Sequence, residues 1–411
     1  KIDEALRRIE EDNVKLSEVF SNLSFKLLNQ NNILINVIDC LNTIDFKISS
    51  RSLGGSENVG QLFEELLNEF ASYSGKEAGE YFTPHDLSKL IVALLKPKEG
   101  DQICDPVSGS GSLLIHLGRH IKSKYLSNIY ELYGQEVNRT TWALSVINMV
   151  IHEEQNFNLE WGNSINAPKH QDKDGKLKTY DIVVGVPPFS LSQWGRNEFI
   201  QKDREENFIR DDYGRFNYGL PPNSSGDYVF IQHMIHLMKS KSGKMAIVLT
   251  HGALFRGGLE QGIREGIIKD GLIDSIISLP SKLLLSSGFP CVIMILSKSR
   301  KKKEIYFLDA SNQFEPTRKK NILSKKNREW IDEHLSNKIE KNDYARRVSI
   351  DEIRHNDYNL NPNRYFETRS DIDSRYDLGK LSNHRKELRK SIINIDKQIE
   401  NLIDSIQLKS N

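Results

Sequence analysis

The chain has 411 residues, 38% of them apolar and 27% charged, with a formal net charge of +1. That length supports one large or two ordinary domains with cores of their own, and excludes a fold that depends on disulfide or metal staples. A charge so near zero excludes a global field that draws in nucleic acid, so phosphate contacts must come from local patches or from a partner.

Residues 1–75 are expected to form a helical domain. Leu62, Phe63, Leu66, Leu67 and Phe70 recur at helical spacing as one apolar stripe, with Glu64, Glu65 and Glu69 placed elsewhere. The loop Gly54-Gly55-Ser56 interrupts the segment, and residues 74–79 read as a hinge into the next domain. Residues 76–366 alternate short β-rich runs with helical ones. Strands are expected at 102–104, 129–133, 182–184, 245–249, 273–279 and 292–296, and helices at 113–121, 141–152 and 228–238. This alternation predicts an α/β fold with a doubly wound, mostly parallel sheet, whose ligands gather at the carboxyl ends of the strands.

Chemistry-bearing residues fall at those ends. Asp105-Pro106-Val107-Ser108-Gly109-Ser110-Gly111-Ser112 is an acidic strand end running into a glycine-rich turn, where backbone can approach a ligand. Glu136, ending the second strand, stands where a carboxylate accepts hydrogen bonds from two ribose hydroxyls. Leu114 replaces the third glycine of a dinucleotide fingerprint, which favours an amino acid joined to a nucleoside over a pyrophosphate. The expected cofactor is therefore S-adenosyl-L-methionine, with a nicotinamide enzyme or an unliganded turn as the rival. Glu80, Tyr81, Phe82, Thr83, Pro84 and His85 offer a ring and backbone groups to the methionine half, and Asn163 and Ser164 offer an amide to the adenine half. Val186-Pro187-Pro188-Phe189 follows a buried strand, and its proline pair makes a stiff turn that presents a carbonyl and an aromatic face to a flat ligand.

His116, His152, His233 and His236 lie in helical patterns, and with no carboxylate or cysteine at ligand spacing no metal is expected. Cys40, Cys104 and Cys291 are far apart, and an odd, unpaired set suits a reducing, cytoplasmic compartment. The longest apolar runs are of strand length, far short of the ~20 residues of a membrane helix, so no membrane contact is expected. The chain begins at Lys1, so residues are expected before it. The basic runs 298–303 and 318–326 are either solvated faces or phosphate-binding patches. In the tail, 367–411, Leu388, Ile392, Ile395, Ile399, Leu402 and Ile406 form an a/d seam over roughly three heptads that wants a partner helix, on this chain or on another subunit.

Several of these stretches together resemble the modification subunit of type I restriction-modification systems, a group of N6-adenine DNA methyltransferases. They are Glu80 to Pro84, Asp105 to Leu114, Gly134-Gln135-Glu136, Pro187-Pro188-Phe189 and His251-Gly252-Ala253-Leu254-Phe255-Arg256-Gly257-Gly258. Asp227-Tyr228-Val229-Phe230, Ile263-Arg264-Glu265, Leu279-Pro280-Ser281 and Tyr358-Asn359-Leu360-Asn361-Pro362-Asn363-Arg364-Tyr365 extend the match, which covers roughly residues 50–366. The resemblance implies a class I methyltransferase fold, double-stranded DNA as substrate, a separate specificity subunit, a second copy of the modification subunit and, in some assemblies, a restriction subunit.

It also exposes a departure. The family has asparagine or aspartate before the proline pair, and this chain has Val186. Adenine's exocyclic amine is a poor nucleophile because its lone pair is delocalised into the ring. Two acceptors, one on a side chain and one a backbone carbonyl, localise that pair on nitrogen after the base leaves the duplex and stacks on Phe189. Valine offers no acceptor, so the Pro187 carbonyl and the Phe189 ring remain alone. A natural variant that only binds, a chain silenced on purpose and an active enzyme that recruits another acceptor all fit the residues. Rival functions are a donor-binding subunit that clamps DNA without modifying it, and methylation of RNA or of a protein glutamine.

Overall fold

The computed structural model describes residues 2–21, 35, 38–39, 56–73, 83–189, 191–203, 206–284, 288–299, 301–318, 320–367, 385, 387–388, 391–392 and 395. Cys40, the Gly54-Gly55 loop, the hinge 74–79 and the stretch Glu80, Tyr81, Phe82 lie outside the described residues, as do Ile399, Leu402 and Ile406. Two compact units emerge, Lys1–Phe366 and Glu367–Asn411. In the second, Leu388, Ile392 and Ile395 are helical and more than half exposed, an apolar row at the heptad spacing.

The first unit is built on a nine-stranded sheet. Its strands are β1 (Gln102–Asp105), β2 (Glu131–Glu136), β3 (Phe157–Trp161), β4 (Ile182–Gly185), β7 (Lys244–Thr250), β8 (Ile273–Ser278), β9 (Cys291–Ser297), β10 (Glu304–Asp309) and β13 (Ala345–Ser349). They lie in the order β13-β10-β8-β9-β7-β4-β1-β2-β3. Only β9 and β13 run antiparallel to their neighbours, β9 between β7 and β8 and β13 along β10. Two small hairpins stand apart, β5 (Ile200–Asp203) with β6 (Glu206–Ile209), and β11 (Glu315–Pro316) with β12 (Asn321–Ile322).

The sheet is buried on both faces because its central strands carry apolar residues in both directions. On β7, Ala246 and Val248 face one cluster with Leu90, Leu114 and Leu132, while Met245, Ile247 and Leu249 face the other with Val229, Met234 and Ile267. The first cluster is covered by α3 (His85–Leu95), α4 (Ser112–Tyr125) and α5 (Arg139–Ile151), the second by α6 (Asp227–Leu237) and α7 (Leu259–Lys269). Further helices among the described residues are α1 (Ile2–Asp12), α2 (Ser56–Tyr73), α8 (Lys325–Asn337) and α9 (Ile350–His355). Chain order runs outward from β1 through β2 to β3 and, in the opposite direction, from β4 to β7. The switch point therefore lies between β1 and β4.

The six expected strands and three expected helices form, each within a few residues of its expected bounds. Strands β3, β10 and β13 are not among the expected ones: β3 and β13 are edge strands with alternating exposure and no apolar run, and the short apolar core of β10, Ile305 to Leu308, follows directly on the basic run. The apolar stripe on α2 is a correction. Leu62 and Leu66 are exposed, whereas Glu64 is fully buried with Leu67, because the face of Gly60, Glu64 and Leu67 is the one turned toward the protein. Gly60 permits this, since a Cβ there would overlap the His152 ring.

Candidate active site at the strand tips

A cleft of about 450 Å³ opens at the carboxyl ends of β1 to β4, within the ~300–1,000 Å³ span of small-molecule sites. Pro106 and Val107 after β1, Glu136 at the end of β2, Asn163 and Ser164 after β3, and Val186 and Pro188 after β4 all line it. Residues more than 80 positions apart meet there because each strand delivers its last residue to the same edge.

The turn after β1 is shaped for close approach. Gly109 and Gly111 have φ of 52° and 77°, left-handed values that suit glycine, and Gly111 caps the start of α4. Gly109 N–H donates to Glu136 Oε2 at 3.1 Å, and Asn138 N–H to Glu136 Oε1 at 2.7 Å, so the β2 carboxylate pins both the turn and the start of α5. Ser108 N–H donates to the Gln135 carbonyl at 3.0 Å. Ser110 and Ser112 share a hydroxyl contact of 3.1 Å, and Asn148 Nδ2 donates to the Ser110 carbonyl at 2.9 Å. The Ser108 hydroxyl is buried and has no hydrogen-bond partner. A Cβ on Gly134 would stand 2.6 Å from Leu159 and 2.9 Å from Ser108, so only glycine lets β2 and this turn come together.

Asp105 accepts from Val107 N–H at 2.9 Å and is almost fully buried. Burial pushes its carboxyl up to about 7, with the neighbouring Glu136 adding to the rise, and burial raises Glu136 as well. The folded chain keeps the Asp105 proton up to about pH 7, the unfolded chain only to about 3.8. Asp105 therefore costs nothing below about pH 4, and stability falls as pH rises to about 7, by on the order of 4 kcal/mol, and is level beyond. Asp105→Asn keeps an oxygen for Val107 N–H and should flatten that part of the decline, read as the difference between the two proteins in denaturant unfolding from pH 4 to 8.

The remaining candidate residues divide. Asn163 Oδ1 accepts from Ile165 N–H at 2.8 Å and Asn166 N–H at 3.1 Å, which leaves its amide group as the donor side. Pro187 is buried, Val186 half-buried, and Phe189 packs with Val186 against the first apolar cluster. Pro188, not Phe189, is the member of that corner lining the cleft beside Val186. Thr83 is half-buried and Pro84 caps α3. His85 lies instead against Glu64 and His116, outside the lining of the cleft.

A family model, N-6 DNA Methylase, matches residues 55–374. The chain belongs to the N-6 DNA methylase family. This methylase is 30% identical over 391 residues to the type I restriction enzyme MpnII methylase subunit of Mycoplasma pneumoniae, covering 92% of this chain and 69% of that one. It is 33% identical over 403 residues to the MjaVII methylase subunit of Methanocaldococcus jannaschii, covering 95% and 66%. The chain thus spans about two thirds of the length of these relatives. A crystal structure of the type I methyltransferase subunit from Streptococcus thermophilus superposes with a TM-score of 0.77 at 28% identity, covering 89% of this chain and 76% of that one. The fold is that of class I methyltransferases, and the family is one of adenine-specific DNA methyltransferases.

The family-like stretches at 227–230, 251–258, 263–265 and 358–365 form one scaffold. Arg264, fully buried, donates to the carbonyls of Tyr358 at 2.7 Å and Arg256 at 3.0 Å. Tyr228 donates to the Ala253 carbonyl at 2.7 Å, Leu360 N–H to the Leu254 carbonyl at 2.9 Å, and Arg256 pairs with Asp227 and Glu260. Three segments distant in sequence, 227–228, 253–264 and 358–360, thus lock the second face of the sheet. Within the basic run, Lys298 donates to the Met238 carbonyl and Lys302 pairs with Asp274, so two of its charges have internal partners.

Trp194 and Phe230 line the cleft without having been singled out as site residues. Trp194 packs with Phe199 and Phe216 at ring distances of 5.8 and 6.3 Å, forming the wall that the long excursion between β4 and α6 adds. The available signal is the density of rings, Trp194, Phe199, Tyr213, Phe216 and Tyr218, between β4 and α6.

Proposed function

We infer that this chain is the S-adenosylmethionine-binding modification subunit of a type I restriction-modification complex, built to methylate N6 of an adenine flipped out of double-stranded DNA, with turnover reduced by Val186. One observation carries the reading: Pro106 and Val107 at the head of the donor-type turn, Glu136 and the Val186-Pro188 corner line a single cleft. The residues fit the donor, since the cleft has the volume, Glu136 brings a carboxylate and Asn163 an amide into its lining, and the left-handed Gly109 and Gly111 shape the turn behind it.

The donor, when bound, supplies an electrophilic methyl on a sulfonium. Glu136 accepts from the ribose hydroxyls, the Asn163 amide reads the adenine half, and the turn from Asp105 to Ser112 holds the methionine half with Thr83 and Pro84. The Pro187 carbonyl accepts one hydrogen of the exocyclic amine and Pro188 with Phe189 stiffens the corner, while Val186 leaves the second hydrogen without an acceptor. The second reading, a silent donor-binding subunit that clamps DNA, is favoured by Val186 alone. Methylated-adenine mapping on plasmid DNA from cells expressing the whole complex separates them: modified adenines at one bipartite site support an active enzyme, and unmodified DNA supports the clamp.

The proposed partners are a specificity subunit, a second modification subunit and a restriction subunit. The heptad row in 367–411 is the proposed seam, supported by the exposure of Leu388, Ile392 and Ile395. Deleting residues 381–411 should abolish copurification with the specificity subunit and leave donor binding unchanged. Retained copurification would move the seam elsewhere.

A further inference from the structure

We propose that Glu64, His85 and His116 form a binding site for a zinc-type divalent cation that ties α2 to the starts of α3 and α4. His85 Nδ1 lies 3.3 Å from His116 Nε2 and 3.4 Å from Glu64 Oε2, and the three ligand atoms all fall within 4.8 Å of one another. A tetrahedral ion with bonds of about 2.0–2.1 Å separates its ligand atoms by about 3.3 Å, which is the spacing observed on two of the three edges. Sequence spacing hides the set, because its members come from three helices.

Two features distinguish this cluster from an ordinary polar contact. His116 Nδ1 lies 2.9 Å from the Ser112 carbonyl, which can only accept, so Nδ1 carries the proton and Nε2 presents its lone pair toward His85 and Glu64. That second hydrogen bond is the usual support of a metal-ligating imidazole. Glu64 is fully buried, and neither of its oxygens has a hydrogen-bond partner, although the Ser112 and Asn148 side chains approach. A hydrogen bond from His85 to His116 would leave that carboxylate with no donor, and an unsatisfied buried carboxylate is costly. A cation satisfies the carboxylate and both lone pairs together. His152, whose ring nitrogens are also buried and without partners, has Nε2 3.8 Å from Glu64 Oε2 and is the nearest fourth ligand.

Entry is open, since a cavity of about 520 Å³ lined by Gln61, His85, His116 and Arg119 reaches the cluster.

The test uses the full chain stripped by a chelator and titrated with cobalt, then with zinc. Expected are one ion per chain, the intense visible bands of tetrahedral cobalt, their displacement by zinc, and a zinc-dependent rise in melting temperature. Glu64→Gln and His116→Gln should each weaken zinc binding by more than the roughly 10–100-fold that changes behind a ligand cost, and His85→Ala, at a partly exposed position, serves if those variants do not fold. Absence of tetrahedral bands in the unaltered chain overturns the proposal. So does zinc affinity unchanged in the folded variants.

Discussion

Val186→Asn is expected to raise methyl transfer to DNA by about two to three orders of magnitude in the assembled complex. The basis is electrostatic: a preorganised group aimed at charge developing in the transition state is worth roughly 3–4 kcal/mol, and a chain lacking it forfeits that much. An asparagine oxygen at position 186 adds the second acceptor beside the Pro187 carbonyl, at a residue that already lines the cleft. Valine also removes water from part of the amine without replacing its hydrogen bond. Because Val186 is half-buried against the first apolar cluster, the substitution should cost some stability while leaving donor affinity nearly unchanged. The measurement is transfer of labelled methyl under saturating donor. Equal rates before and after would show that another group supplies the acceptor.

Glu136→Ala is expected to weaken donor binding by about 10- to 100-fold for each ribose hydrogen bond it removes, since each hydrogen bond to a charged acceptor is worth roughly 1.5–3 kcal/mol. Its oxygens already receive the backbone N–H of Gly109 and Asn138, and a carboxylate has about four lone-pair sites, so capacity remains for the ribose. Removing it frees the turn at Gly109 as well, so a drop in melting temperature should accompany the loss. Glu136→Gln separates the two roles: it retains one oxygen and should recover more stability than affinity. Unchanged affinity in a folded Glu136→Ala protein would place the ribose elsewhere.

The parts of the molecule legible in the sequence are those where one local signal suffices. Strand β7 is an uninterrupted apolar run between a lysine and a threonine, and the turn from Asp105 to Ser112 carries its own conformational needs in Gly109 and Gly111. Glu136 was locatable because a strand end is a fixed position in a doubly wound sheet. What escaped depended on tertiary assembly. No periodicity shows that Glu64 rather than Leu62 turns inward on α2, because that choice is made by the fit of Gly60 against His152. His85 sits next to a donor-type motif in sequence, yet its ring joins His116 and Glu64. Trp194 lies in a connection with no helical or strand pattern, and acquires its place only when Phe199 and Phe216 pack on it.

The exposed face of Val59, Leu62 and Leu66 on α2 and the row of Leu388, Ile392 and Ile395 both leave apolar side chains in water. Val59, Leu62 and Leu66 lie outside the lining of the cleft. Among the described residues, no helix is long and apolar enough to cross a membrane.

Titration calorimetry of the purified chain with S-adenosylmethionine, and in parallel with its demethylated product, tests the central claim most directly. The expected result is saturable binding of one molecule per chain, retained in Val186→Asn and weakened in Glu136→Ala. No heat with either compound, together with a crystal structure in which side chains fill the cleft between Glu136 and Val186, would contradict it.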